Sequence, residues 1–240
     1  MRIAVLTDSH GNLPALQAAL AHIRQEGYDL LVHTGDTIAI GPFPAECLAL
    51  LIETPRVLCL MGNHESCYVK GIGPETDLRD EGERRHQIWT HAQLGLALRG
   101  QVANWPRIVE RRWDGLRMVF VHYALEPGGQ RYAPVERERS AANMARLFAA
   151  LDAEAIFYGH DHMQSDVVGK ARYVNPGSLG CFVRAEARYC IVDIRDGQMT
   201  VIQHRVPYDD APLAKAFVQR DVPDRVFIVR TFFGGRFAVF

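Results

Sequence analysis

Met1-Arg2-Ile3-Ala4-Val5-Leu6-Thr7-Asp8-Ser9-His10-Gly11-Asn12 opens the chain, and its change from apolar to polar after Leu6 decides how the rest is read. Residues 3–6 are a short continuous apolar run, as expected of a strand buried on both faces, and the run delivers Asp8, Ser9 and His10 in a loop at its carboxyl end. Leu13, Leu16, Leu20 and Ile23 then recur at helical spacing, and Gly27 stops the helix. The plan repeats. Residues 29–33 predict a second strand ending at Gly35-Asp36. Residues 44–52 predict a helix that starts on proline, and 57–61 a third strand ending in Gly62-Asn63-His64-Glu65. Strands alternating with helices indicate βαβ units and a largely parallel sheet, whose ligands sit beyond the carboxyl ends of the strands. The three polar loops are therefore expected to converge.

Further along, the pattern changes twice. Residues 65–105 are charged and helical, with Arg79-Asp80-Glu81-Gly82-Glu83-Arg84-Arg85-His86 leading into an apolar stretch at 94–98, which reads as a helical cap at about 66–105. The second half predicts strands at 109–112, 116–122, 155–158, 172–174, 188–194 and 199–205, interrupted by a helix at 139–151. Asp114-Gly115 and Asp196-Gly197 are hairpin dipeptides, so some of these strands should pair antiparallel. The C-terminal Val226-Phe227-Ile228-Val229 and Phe232-Phe233 read as a last strand packing on the body, with a contact in a homo-oligomer as the sharper alternative. No repeat, low-complexity tract or Pro/Ser-rich linker divides the chain, so residues 1–240 are expected to form a single α/β domain of two mixed sheets flanked by helices.

Composition narrows the function classes. With 240 residues, a formal net charge of -1 and Lys/Arg spread along the chain, no electrostatic footprint for nucleic acid stands out. The five cysteines, Cys47, Cys59, Cys67, Cys181 and Cys190, form no CxxC pair, which argues against a disulfide framework or a zinc finger. A cytoplasmic protein is expected, because no cleavable signal precedes Asp8 and no apolar run approaches the length of a membrane span.

Five short motifs stand in order, each after an expected strand: Asp8-Ser9-His10, Gly35-Asp36, Gly62-Asn63-His64-Glu65, His122, and Gly159-His160-Asp161-His162. Carboxylates mixed with imidazoles suit Mn, Fe, Zn, Co or Ni rather than Ca or a thiolate-bound metal. In this order the motifs resemble the DxH, GD, GNH(D/E), H and GHxH signature of the calcineurin-like metallophosphoesterase superfamily. The likeness extends to Asn175-Pro176-Gly177-Ser178, which looks like the loop after the last motif in small prokaryotic members.

That resemblance implies a four-layer α/β/β/α sandwich and two divalent metal ions, manganese favoured. Asp8, His10, Asp36 and His162 would hold one ion, and Asp36, Asn63, His122 and His160 the other. A carboxylate can share its oxygens between two cations, so Asp36 is the expected bridge. Two divalent ions, two carboxylates and a bridging hydroxide leave about one net positive charge, which favours an anionic phosphoryl group. The expected reaction is hydrolysis of a small phosphodiester or nucleotide, with the metal-bridging hydroxide attacking phosphorus in line and no protein nucleophile. His64, the one motif imidazole left without a metal, is the expected general acid; with Asn63 it would also contact substrate. One alternative is a phosphomonoesterase, whether a protein Ser/Thr phosphatase or a dinucleoside tetraphosphate hydrolase. Another is a non-catalytic metal-binding interaction scaffold, as in the retromer subunit whose site has decayed; here every ligand is present.

The remaining candidates read more plainly. His33 is expected to pack in its strand, with support of the site as the lesser reading. His86 and His91 are expected on a solvated helix face, and Cys67 as a small apolar residue. Glu65 is either a partner of the site or an ordinary loop carboxylate. Arg131, after Gly128-Gly129-Gln130, could reach a phosphate, although a surface loop is the simpler reading.

Overall fold

The computed structural model describes residues 1–73, 76, 78–129 and 131–239, so Gln130 and residues 74, 75 and 77 of the expected cap lie outside the described residues. In chain order the elements are β1 (Arg2–Leu6), α1 (Leu13–Glu26), β2 (Leu30–His33), α2 (Pro44–Glu53), β3 (Val57–Cys59), α3 (Asn63–Lys70), α4 (Glu81–Leu94), α5 (Arg99–Ala103), β4 (Ile108–Trp113), β5 (Leu116–Val121), α6 (Ala141–Leu147), β6 (Ala155–Phe157), β7 (Ser165–Val168), β8 (Arg172–Asn175), β9 (Glu186–Arg195), β10 (Gln198–Pro207), α7 (Ala211–Gln219) and α8 (Arg225–Phe233). They build two mixed five-stranded sheets, ordered β10-β9-β1-β2-β3 and β4-β5-β6-β8-β7. The expected α/β/β/α sandwich is what forms.

The opening stretch shows why. Along β1 successive side chains face opposite ways, so Ile3 and Val5 enter the core between the sheets with Phe120, Phe157 and Val192, while Ala4 and Leu6 pack under α1 against Leu16 and Leu20. Both faces are buried, hence the unbroken apolar run. β1 pairs parallel with β2 and antiparallel with β9; β5, β6 and β8 are parallel neighbours. The parallel strands of both sheets point their carboxyl ends at one edge. The two Asp-Gly dipeptides turn the β4–β5 and β9–β10 hairpins with positive φ at both residues (48° and 83°; 53° and 70°), the twist that suits antiparallel strands.

Three readings need correction. The C-terminal apolar segment is the helix α8, not a strand. Ile228, Val229 and Phe233 bury one face of it against Leu213 and Phe217 of α7, and a short apolar run does not by itself separate a buried strand from a buried helix. The edge strand β7 went unread because Ser165-Asp166-Val167-Val168 is too short and polar to announce itself. The helix expected at 139–151 is confined to α6, capped by Ser140 Oγ accepting from Asn143 N at 3.2 Å. All five cysteines are free, and no helix among the described residues is long and apolar enough to cross a membrane.

Candidate metal centre

The five motif loops follow β1, β2, β3, β5 and β6 and meet at one edge of the sandwich. Their backbones are unusual: Asp8 (φ 54°), His10 (46°), Asp36 (59°), His160 (71°) and His162 (62°) all lie in the left-handed region, which costs non-glycine residues energy and tends to occur where a site over-determines the chain. Cross-loop hydrogen bonds hold them there. Asp8 N donates to Gly35 O (3.0 Å), His10 N to Asp36 O (3.0 Å) and Gly159 N to His122 O (2.8 Å). Gly62 is required by space, because a Cβ there would run into the Asp36 carboxylate.

Glu65, read two ways from sequence, proves to be the clamp between two loops. Fully buried, its carboxylate accepts from Asp36 N (2.8 Å), Thr37 N (2.7 Å) and Gly62 N (2.9 Å), fixing the Gly35-Asp36 turn against the start of α3. His33 is buried in its strand as expected, and it also supports the loops. Its Nδ1 accepts from Gly35 N (3.3 Å), which leaves Nε2 to donate to Ser9 Oγ at 2.6 Å. Burial pushes His33 down to about 3, so it stays neutral.

The seven candidate ligands come together in two groups. In one, His10 Nε2 and His162 Nε2 lie 2.9 Å apart, and Asp8 Oδ1 is 3.5 and 3.6 Å from them. In the other, Asn63 Oδ1 lies 3.1 Å from His122 Nε2 and 3.0 Å from His160 Nδ1, with Asp36 Oδ2 at 3.2 Å from His122 Nε2. Asp36 Oδ2 is also 4.0 Å from His10 Nε2, which puts this oxygen between the groups. Donor atoms bound about 2.1 Å from one ion stand roughly 3 to 3.5 Å from each other, so these separations fit metal coordination. Asp8 supplies an independent sign. Its Oδ2 accepts from Thr7 Oγ1 and His160 N, whereas Oδ1 is buried without a hydrogen-bond partner among the described residues, an arrangement a cation would satisfy.

The electrostatics agree. Burial alone would raise the pKa of Asp8 and Asp36, but the surrounding imidazoles, His10 for Asp8 and His122 for Asp36 foremost, overcome it and hold both well below the usual carboxylate range. Burial lowers His160 to about 4 and His162 to about 3, the neutral state a metal ligand needs. His122 and His10 differ: despite burial, the Asp36 carboxylate raises His122 to about 9, and the Asp8 carboxylate raises His10. The outer ring nitrogens are oriented by backbone carbonyls, His122 Nδ1 by Thr34 O (3.1 Å) and His10 Nδ1 by Ile38 O (3.3 Å).

His64 stands beside the ligands, its Nε2 3.8 Å from Asp36 Oδ2 and its backbone N donating to Asp36 Oδ1 (3.0 Å). Gln87 of α4, 2% exposed, donates from Nε2 to His64 Nδ1 at 2.8 Å, so the His64 proton resides on Nε2, the nitrogen facing the centre. Sequence reading missed Gln87, since a glutamine inside a charged helix carries no motif. It also placed His86 on a solvated face. His86 is instead buried, its Nε2 accepting from Ile40 N (2.8 Å) and its Nδ1 donating to Pro223 O (3.3 Å), because α4 is covered by the segment leading into α8.

Arg131 is exposed and is not brought to the centre; its carbonyl accepts from Glu126 N. The neighbouring Tyr132 is, with its ring stacked 5.6 Å from that of His160 and its hydroxyl donating to Met61 O (2.8 Å). Cys181 lies close to His10 and His162, and burial raises its thiol pKa; Asp8, with Oδ1 buried and free of hydrogen bonds among the described residues, is the anionic donor there.

Comparison with known proteins completes the description. The model of the calcineurin-like phosphoesterase superfamily domain matches residues 1–197. The chain is 26% identical to the uncharacterized protein MJ0912 of Methanocaldococcus jannaschii over 95% of its own length and 98% of that protein. Among solved structures it is similar to a metallophosphoesterase from Sphaerobacter thermophilus (TM-score 0.73, 24% identity, covering 96% of this chain and 97% of that one). It is similar also to the hypothetical protein PH1004 from Pyrococcus horikoshii OT3 (TM-score 0.81, 20% identity, covering 98% and 99%). All five motifs fall inside the matched residues; β10, α7 and α8 fall outside them.

Proposed function

Because the chain belongs to the calcineurin-like phosphoesterase superfamily, a family of metal-dependent hydrolases, we propose that it hydrolyses a small phosphodiester at a centre of two divalent metal ions held by Asp8, His10, Asp36, Asn63, His122, His160 and His162. Manganese is the favoured ion for this mixed carboxylate and imidazole set. Bound there, the ions supply Lewis acidity toward water and toward the non-bridging oxygens of the phosphoryl group. Asp36, with one oxygen between the two groups of donors, keeps them in register. His64 carries its proton on Nε2 and donates it toward the leaving oxygen. Burial, the largest influence, holds His64 below the ordinary imidazole range, so it acts as a neutral hydrogen-bond donor that the negative charge of a bound substrate strengthens.

The observation that carries a diester over a monoester is room on two sides of the centre. A cavity of 250 Å³ lies beside His64, lined by Arg79, Glu83 and Gln87 near or on α4 and by Phe227 and Phe232 on α8. Another, of 430 Å³, begins at His162. A monoester has one organic group to place; a diester has two. The cavity at His64 is the place for the leaving group, because the proton donor stands in its wall.

The test compares leaving groups. His64→Ala should lose about 10²-fold or more in kcat on a diester with an alkoxide leaving group and much less on a nitrophenyl diester, whose leaving group needs no proton, with metal content unchanged. Equal losses on both would remove His64 from this role. Turnover of monoesters alone, across a panel of monoester, diester and dinucleotide substrates, would replace the diesterase reading with the phosphomonoesterase one.

A further inference from the structure

One cavity, of 670 Å³, opens around Met1, Arg2, Asp29 and Asp193 at the amino end of β1 and shares no residue with the metal centre. The 430 Å³ cavity is different. It starts at His162 and is walled by Gln164, Cys181, Arg188, Arg205 and Phe232, the last with its ring 5.8 Å from that of His162. Two of those six residues are cations with no carboxylate to answer them.

Arg188 on β9 is only 4% exposed, and its hydrogen-bond partners are all carbonyls: Nε donates to Ser178 O (3.2 Å), and Nη2 to His162 O (3.0 Å) and Cys181 O (3.3 Å), while its guanidinium lies 3.8 Å over the Phe182 ring. Its Nη1 makes no hydrogen bond among the described residues. Arg205 on β10 spends both Nε and Nη2 on one neutral atom, Gln164 Oε1, at 3.2 and 2.7 Å. Neither guanidinium has a carboxylate within ion-pair distance among the described residues, whereas Arg139, Arg172, Arg220 and Arg236 each have one. A buried charge without a counter-ion is unfavourable, and a planar guanidinium fork matches a phosphate in two hydrogen bonds. The three carbonyl contacts explain how Arg188 pins the 175–181 loop under His162. They leave Arg188 without a carboxylate in ion-pair distance among the described residues, beside an exposed Arg205 that also has none.

Resting on the diesterase reading above, we propose that the Arg188–Arg205 cavity binds a second phosphate group of the substrate, carried on the ester group that stays on phosphorus. Placement supports that side. His64 and His162 both pack on the His10 ring, at 5.3 and 4.8 Å between centroids, so the cavity at His64 and the cavity at His162 each open beside the centre, with Phe232 as their shared wall. The leaving group occupies the first and the second anion the other. The preferred substrate class is then a phosphodiester bearing an additional phosphate, such as a nucleotide phosphorylated at a second ribose hydroxyl.

Calorimetric binding to the metal-loaded protein tests this with two probes that differ by one phosphate, adenosine 3′,5′-bisphosphate and adenosine 5′-monophosphate. The wild type should bind the bisphosphate about 10-fold more tightly, the scale of one charge-assisted contact. Arg205→Gln, a change at an exposed position, should bring that ratio close to one, and Arg205→Lys should restore part of it. Equal affinity for the two probes in the wild type would overturn the proposal, as would an undiminished ratio in Arg205→Gln. The diesterase reading is judged separately, by wild-type turnover of bis(p-nitrophenyl) phosphate. No turnover with the binding ratio intact would sink that reading and leave the anion site standing.

Discussion

Two walls enclose the candidate site, and they are built in opposite ways. One is the set of loops at the ends of β1, β2, β3, β5 and β6, where each candidate ligand lies within five residues of the end of its strand and close cross-loop hydrogen bonds accompany left-handed backbone conformations. The other is the meeting of α4 and α8, where Arg79 donates to Asp224 across 145 residues of sequence and His86 donates to Pro223 across 137. The first wall is local and rigid and holds the candidate chemistry. The second is assembled at long range and borders the space where a leaving group would go. The contrast teaches a division of labour: damage to the loops should cost every substrate alike, while damage to the helical wall should be selective.

The largest effect expected is at the atom shared by the two donor groups. Asp36→Asn keeps the size of the side chain and an oxygen for His64 N, but removes the buried charge that would sit between two metal ions. Activity should fall about 10³-fold or more on all substrates, the scale of losing several kcal/mol of charge stabilisation. Elemental analysis should show fewer than two metal equivalents retained. A variant with full metal content and a loss confined to one class of substrate would break the division between the walls.

The same division explains what the sequence made legible. Ile3 to Leu6 could be read as a buried strand because both faces of β1 are covered, and each motif could be read because strand, glycine and ligand lie next to each other in the chain. Glu65 was half legible, its position three residues after Gly62 being a cap position whose second task, holding the Asp36 turn, depends on a contact 28 residues away. Gln87, Arg188 and Arg205 were silent and His86 was misread as solvated, since what defines them is a distant ring nitrogen, a distant carbonyl or an absent carboxylate, none of which leaves a local pattern. Phe227 to Phe233 misled because apolar residues in a run are as consistent with a helix packed on α7 as with a strand.

A pH experiment sharpens the comparison at the second wall. Burial, then the nearby His64, lowers His86 to about 4 in the folded protein, against an ordinary imidazole near 6.5 in the unfolded chain. The unfolded state therefore takes up the proton first. The stability His86 gains by staying neutral is complete above about pH 6.5 and is lost as the pH falls from there toward 4, with about 2 kcal/mol gone at pH 5. His86→Gln removes this titration and keeps an acceptor within reach of Ile40 N. The drop in unfolding free energy from urea titration between pH 7.5 and pH 5 should be smaller in the variant than in the wild type by that amount. Identical drops would mean that α4 and the Pro223 segment separate in acid without regard to this histidine.

The smallest effect should be the most selective. Gln87 touches none of the seven candidate ligands; it donates to His64 Nδ1 from a helix that otherwise faces the cavity proposed for the leaving group, so on the proposed role of His64 it would be a positioning residue that acts through it. Gln87→Leu keeps the bulk and removes the donor, freeing the His64 ring to exchange its proton between the two nitrogens and to turn away from the centre. Losing one such orienting hydrogen bond is worth about 10-fold in rate. A merely structural role would lower the rate on every substrate by the same factor. Orientation of His64 predicts instead that the loss appears in kcat for alkoxide leaving groups and nearly vanishes for nitrophenolate, the pattern of His64→Ala in weaker form, with metal content unchanged. In the double variant the Gln87 change should cost nothing further, since there is no longer an imidazole to hold.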